Sequence, residues 1–155
     1  QATAIMARVL TCATSILTKR KERIDMGYQR YPGFEALLGK TLVSVTGLEE
    51  GSYEVTFMAE TGEVYSMYHQ QDCCESVYIE SVTGDVNDLI GTPILMAEEV
   101  SDTDFPPPAG EYVDSYTWTF YKLATIRGYV DIRWLGQSNG YYSESVNFEH
   151  VNAGK

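Results

Sequence analysis

The sequence predicts a mainly β domain of the α+β class: a single antiparallel sheet system, either a small barrel or a strongly curved sheet, with an N-terminal helix. Apolar and polar residues alternate with a period of two from Lys40 onward, the pattern of half-buried strands. Turn-forming Gly, Asn and Asp recur between these runs at short intervals. Twelve Tyr help to raise the aromatic fraction to 12%, and aromatic side chains favour strands.

The first part of the chain has a different pattern. Apolar residues from Ile5 to Ile16 recur at helical spacing, which predicts a helix over residues 2–25. We therefore expect an N-terminal helix and connector over residues 1–33, taken either as an extension or as non-native sequence. A single β-rich domain is expected over residues 34–155.

Short helical turns are expected at residues 34–38 and 86–90, the second capped by Asp85. The turns at 60–62 and 138–140 are predicted to join their neighbouring strands into hairpins. Strands are expected wherever the alternation holds: residues 41–45, 53–57, 63–69, 76–81, 94–100, 116–126, 129–135 and 141–149.

The charge distribution limits the partners of the protein. Residues 41–121 contain 16 Asp and Glu and no Lys or Arg, and the whole chain has a net charge of −11. This excess argues against nucleic acid and against an anionic membrane surface, because both require clustered Lys and Arg. The apolar run over residues 5–17 is too short for a transmembrane helix. The compatible partners are proteins with a basic surface or divalent cations.

Cysteine usage indicates the redox setting. The chain has three cysteines, Cys12, Cys73 and Cys74, and two of them are adjacent. An odd number with an adjacent pair is not a disulfide framework. A reducing, cytosolic setting is therefore the better expectation.

One segment concentrates the reactive side chains: His69, Asp72, Cys73, Cys74 and Glu75. Zinc sites normally combine two ligand pairs from different parts of the chain, and no second pair is evident, so a metal is left open. A catalytic Cys–His pair would need a third orienting group, and none stands out. The alternative is a polar connection between strands whose cysteines are small buried apolar residues. We expect no cofactor and lean against an enzyme.

Glu144 has two readings. By alternation it shares a face with Phe148, and a buried carboxylate there would need a partner, either Arg127, Arg133 or a Tyr hydroxyl. Alternatively, Glu144 lies in solvent at the strand end beside the turn at 138–140. The second reading is the simpler expectation.

Four segments of the chain are distinctive. They are MYHQQDCCESV at 67–77, DLIGTPIL at 88–95, YTWTFYK at 116–122 and SNGYYSESV at 138–146. Tyr141 and Tyr142 in the last of these segments complete the candidate binding set. Together the segments resemble a family of small bacteriophage and prophage proteins with no established activity. The resemblance covers roughly residues 34–149 and implies a phage or mobile-element origin, with a location in the host cytoplasm or the virion.

These observations lead to three hypotheses of function. The first is a non-enzymatic acidic binding module that acts on a host or phage protein with a basic surface, in counter-defence or host takeover. The second is a structural protein of the virion or tail. The third is a small-ligand or metal binder centred on residues 69–75 with Glu144. Self-association into a homo-oligomer is compatible with the sequence.

Overall fold

Eight strands and two 3-10 turns make up the fold in the computed structural model, which describes residues 32–106 and 113–151. The turns are Phe34–Leu37 and Val86–Leu89, and the Asp85 side chain caps the second turn by accepting from the Asn87 amide at 2.9 Å. The strands are β1 Leu42–Thr46, β2 Glu54–Ala59, β3 Val64–Tyr68, β4 Ser76–Thr83, β5 Met96–Asp102, β6 Ser115–Ala124, β7 Tyr129–Ser138 and β8 Asn147–Val151.

The strands form two four-stranded antiparallel sheets, in the orders β1-β2-β3-β8 and β4-β7-β6-β5. The mainly β, antiparallel class is therefore confirmed, but the single barrel or strongly curved sheet is wrong. Period-two alternation shows which face of a strand is buried, and this information is the same in a barrel and in two packed sheets. The helix predicted for residues 2–25 lies outside the described residues.

One hydrophobic core joins the two sheets. Inward-facing residues of both sheets belong to a single buried cluster, with Phe57 and Met67 from the first sheet and Ile79, Leu123 and Trp134 from the second. Each of these side chains is fully buried. Alternate residues of β2, β3, β4, β6 and β7 supply this face, as the sequence pattern predicts.

The last strand differs from the prediction. The hairpin predicted at residues 138–140 would pair the strand over 141–149 with the strand before it, and this pairing is wrong. Strand β8 begins at Asn147 and pairs with β3. Strand β7 already has β4 on one edge and β6 on the other. Because both edges of β7 are occupied, the following chain cannot pair with it and crosses to the free edge of β3.

Candidate functional site

The two most distinctive sequence segments meet at one end of the fold. Residues 69–75 connect β3 to β4, and residues 139–146 connect β7 to β8. The register pairs Tyr68 with Asn147 and Ser76 with Gln137, so both connections start and finish on neighbouring strands. We call these two segments the paired loops. Sequences far apart in the chain are thus brought side by side by strand pairing.

Glu75 organises the first of the paired loops. Its carboxylate is buried and accepts hydrogen bonds from the backbone amides of Asp72 and Cys73, the latter at 3.1 Å. Burial acts to raise the pKa of Glu75, but the two amides and His69 outweigh it, and the pKa falls to about 2. The carboxylate therefore remains charged at neutral pH and fixes the turn of the loop.

His69 connects the two loops. Its Nδ1 lies 2.7 Å from the carbonyl oxygen of Ser145, and its Nε2 lies 3.2 Å from Oε1 of Glu75. A carbonyl oxygen and a carboxylate can only accept hydrogen bonds, so the ring nitrogen is the donor in each hydrogen bond that forms. The His69 side chain is thus buried between the backbone of the second loop and the carboxylate of Glu75.

Cys73 and Cys74 are free and exposed, with their sulfur atoms 2.6 Å apart. Hydrogen bonding to Cys73 raises the pKa of the Cys74 thiol. Hydrogen bonding to Cys73 also raises the pKa of the Tyr142 hydroxyl, to about 12. Tyr142 of the second loop thus lies beside Cys73 of the first.

Glu144 is buried, so the prediction that it lies in solvent is wrong. Its oxygens accept hydrogen bonds from Thr117 Oγ1 at 2.7 Å and from Ser138 Oγ at 2.6 Å. The predicted partners Arg127, Arg133 or a Tyr hydroxyl are also wrong, because two strand hydroxyls supply the donors that the buried carboxylate requires.

The structure brings most of the predicted site residues together. The segment from His69 to Glu75 contacts Tyr142 and Ser145 of the second loop. Tyr141 packs its ring edge against Tyr142, at 5.1 Å between centroids, and is otherwise exposed. Glu144 faces a different cleft, on the side of Thr117.

Several contributing residues were absent from the sequence prediction. Ser145 supplies only a backbone carbonyl, and Thr117 and Ser138 are unremarkable hydroxyl residues in long strands. No local signal marks such residues, because their role arises from strand register. Gly136 is the exception, since a glycine inside a strand can indicate a close approach of another backbone.

Two polar clefts adjoin the paired loops. The first, of about 360 Å³, is lined by His69, Gln71, Asp72, Ser143 and Asn147 among others. The second, of about 350 Å³, has carboxylates and hydroxyls in its lining: Glu99, Ser101, Thr117, Thr119, Tyr142 and Glu144. Both volumes are at the lower end of the range for small-molecule sites.

Within residues 32–106 and 113–151, no three His, Cys, Asp or Glu side chains are arranged to hold a metal ion.

We expect Gly136→Ala to displace the second of the paired loops. A methyl group at Gly136 would lie 2.6 Å from the Glu144 carbonyl oxygen and 2.7 Å from its Cβ. Backbone and Cβ atoms cannot rotate away, so the loop must move and the free energy of unfolding should fall by about 1–3 kcal/mol. Chemical denaturation and hydrogen exchange of residues 139–146 would measure both effects.

Gly33→Ala is the matched control for this substitution. The atoms nearest to its added methyl belong to the side chain of Glu35, which is exposed and can rotate away. We expect little change in stability. Equal behaviour of the two variants would contradict the close packing of Glu144 on Gly136.

The end of the fold that carries the paired loops is strongly acidic. Strand register places residues 47–53, 103–106 and 113–114 at the same end, and together with the paired loops we call this the loop end. The described residues of the loop end contain no Lys or Arg. Five of its carboxylates are exposed: Glu49, Glu50, Asp72, Asp104 and Asp114.

Every Lys and Arg in the described part of the chain lies outside the loop end and has an acidic partner. The ion pairs are Lys40–Glu63 at 2.7 Å, Lys122–Asp131 at 3.4 Å, Arg127–Asp88 at 3.9 Å and Arg133–Glu80 at 2.5 Å. The 19 Asp and Glu and four Lys and Arg of residues 32–106 and 113–151 leave 4 − 19 = −15 charges, with His counted as neutral. The surplus carboxylates thus have no cationic side chain of the described fold to neutralise them.

None of the helices in the described residues has the length and apolar character needed to cross a bilayer.

Comparison with known proteins identifies the family of the chain. No curated protein and no solved structure matches the chain. A family model described as Domain of unknown function (DUF7448) matches residues 35–148, well over half of the chain, and the protein belongs to this family.

Proposed function

We propose that the protein is a non-enzymatic binding module that presents its acidic loop end to a basic protein surface. The observation that carries this proposal is the set of five exposed carboxylates at the loop end, where the described residues include no Lys or Arg. Unpaired charges of one sign on one surface attract and orient a partner of opposite sign.

The shape of the loop end supports a protein partner. Two loops that cross between the sheets are fixed to each other through His69, and Glu75 fixes the turn of the first. A preorganised surface loses little conformational freedom on binding, which leaves more of the interaction energy for affinity. Exposed Tyr141 beside the carboxylates adds the kind of aromatic anchor that is enriched in interfaces.

The resemblance to phage and prophage proteins supports a host cell as the setting of the partner. A phage-encoded acidic module would act on a basic host protein, in counter-defence or host takeover. One form of this action is mimicry of nucleic-acid charge, in which carboxylates occupy phosphate positions on the host protein. A role as a virion or tail component remains the alternative of the same class, because assembly also uses protein contacts.

The test is capture of basic proteins from a bacterial lysate at low ionic strength, followed by titration of the retained protein against purified variants. Asp72→Asn with Asp114→Asn neutralises two exposed carboxylates at the loop end. Exposed charge pairs contribute about 0.2–1 kcal/mol each, so the affinity should fall by about 2- to 30-fold. Wild-type affinity should also fall as salt rises.

A second double variant controls for net charge. Glu35→Gln with Glu60→Gln removes the same two charges from exposed positions outside the loop end. We expect little loss of affinity from this pair. Equal losses in both double variants, or binding that does not change with salt, would rule out recognition by the loop end.

A second candidate function is supported by the convergence of the paired loops. The cleft of about 360 Å³ beside His69 could hold a small polar ligand that accepts or donates through Gln71, Ser143 and Asn147. A small ligand identified by screening should bind more weakly to the His69→Gln variant. The substitution removes the contact that the His69 ring makes to Ser145 or to Glu75. Unchanged affinity in this variant would eliminate the cleft as its site.

A further inference from the structure

The adjacent thiols of Cys73 and Cys74 take no part in the binding proposed above. We propose that this pair is a thiol–disulfide exchange site that reacts with small-molecule disulfides of the glutathione type. Both thiols are exposed and unpaired, and their sulfur atoms are 2.6 Å apart. This separation is only about 0.5 Å longer than a disulfide bond.

The loop geometry makes the pair unusual. Side chains of adjacent residues in an extended strand point to opposite sides. Here the chain bends at Cys73 and Cys74, and the Glu75 carboxylate holds the amides of Asp72 and Cys73 on the inner side of the bend. Both thiols therefore lie on the outer side, where a solute can reach either one.

The geometry leaves either cysteine able to react first. Both thiols are exposed and their sulfur atoms lie side by side at the bend. One cysteine attacks as its thiolate, which is the reactive form, and its neighbour is placed to resolve the mixed disulfide.

The exchange proceeds in two balanced steps. The thiolate of one cysteine attacks one sulfur of the small disulfide, forms a mixed disulfide and releases one small thiolate. The neighbouring cysteine then loses its proton to solvent and attacks the protein sulfur of the mixed disulfide, which releases the second small thiolate. One small disulfide is reduced to two thiols, and the two cysteines are oxidised to one disulfide.

The adjacent position of the cysteines makes the product easy to reduce. Consecutive Cα atoms are about 3.8 Å apart across a trans peptide, whereas disulfides usually join Cα atoms about 5.5–6 Å apart. The ring is therefore strained, and strained disulfides have more oxidising potentials and are the labile ones. Oxidation should reverse when excess thiol is added.

The test uses the chain with Cys12→Ser, so that Cys73 and Cys74 are the only cysteines of this sequence. The protein is incubated with glutathione disulfide, quenched with an alkylating agent and analysed by intact mass. We expect loss of two hydrogens, no retained glutathione and full recovery of both thiols with excess dithiothreitol. Adding Cys74→Ser should leave no second thiol to resolve the mixed disulfide, so that about one glutathione per chain is retained.

Further variants make the result decisive. Cys73→Ser should likewise retain about one glutathione per chain, because it too leaves a single thiol. Circular dichroism would verify that each variant is folded. Retention of glutathione by the two-cysteine protein, disulfide-linked dimers, or no oxidation at all would overturn the proposal.

Discussion

Phe34→Ala is expected to lower the free energy of unfolding by about 3–5 kcal/mol, the usual cost of truncating a buried phenylalanine. Phe34 is buried at the centre of an aromatic cluster. Its ring lies 4.7 Å from Tyr121, 5.4 Å from Phe148 and 6.4 Å from Phe57, measured between centroids. Two of these rings belong to the first sheet and one to the second. The substitution would therefore remove contacts that hold the sheets together.

The loss would be a large part of the stability of a domain, which is typically about 5–15 kcal/mol. Urea denaturation followed by tryptophan fluorescence would measure it, because Trp134 lies in the same core. Leu38→Ala is the control, since Leu38 follows the same 3-10 turn but is exposed. A loss below about 1 kcal/mol, equal to that of Leu38→Ala, would contradict the central role of Phe34.

Local patterns predicted the strands β1 to β7 and both 3-10 turns with small shifts at their ends. The reason is that these elements depend on information within a few residues. Alternation in residues 54–59 shows which side chains are buried, and Gly62 supplies the positive φ of the turn that follows. The Asp85 cap was predicted in the same way, because an Asp before a helical turn accepts from the backbone amide two residues on.

Strand pairing was not accessible to the same reasoning. The alternation of Tyr142, Glu144, Val146 and Phe148 resembles a strand, yet only the part from Asn147 onward is one. The residues before it are excluded from pairing with β7 because both edges of that strand are occupied. The burial of Glu144 follows from this arrangement, and no property of residues 138–146 alone indicates it.

The candidate site was predicted in its residue types but not in its contacts. The density of reactive side chains over residues 69–75 was visible in the sequence, and so was the second motif at 138–146. That the two segments contact each other depends on the pairing of β3 with β8 and of β4 with β7. The role of Glu75 as a backbone acceptor also depends on the bend of the loop, which residue type does not specify.

Glu75→Gln is expected to destabilise the protein at neutral pH and to loosen both of the paired loops. The substitution removes the negative charge that faces the buried His69, and it weakens the hydrogen bonds to the amides of Asp72 and Cys73. Buried polar groups that lose a strong hydrogen-bond acceptor are costly. Hydrogen exchange of these amides should be faster in the variant than in the wild-type protein.

The effect of Glu75→Gln should depend on pH in a defined direction. The pKa of Glu75 is lowered from 4.5 to about 2 in the fold, so its carboxylate stabilises the protein above pH 4.5 and loses this effect as the pH falls towards 2. The stability difference between wild type and variant should therefore be largest at neutral pH and should become smaller as the pH falls from 4.5 to about 2. Urea denaturation over this pH range would measure it.

Glu63→Gln separates the loop effect from acid sensitivity in general. Hydrogen bonding to Lys40 lowers the pKa of Glu63 to about 2 as well, but Glu63 follows the turn between β2 and β3, away from the loop end. In both variants, the difference in free energy of unfolding from the wild-type protein should become smaller as the pH falls. Only Glu75→Gln should speed exchange in the paired loops, because only Glu75 binds their amides. Faster loop exchange in Glu63→Gln, or a Glu75→Gln difference that stays constant down to pH 2, would show that the Glu75 carboxylate does not fix the loop.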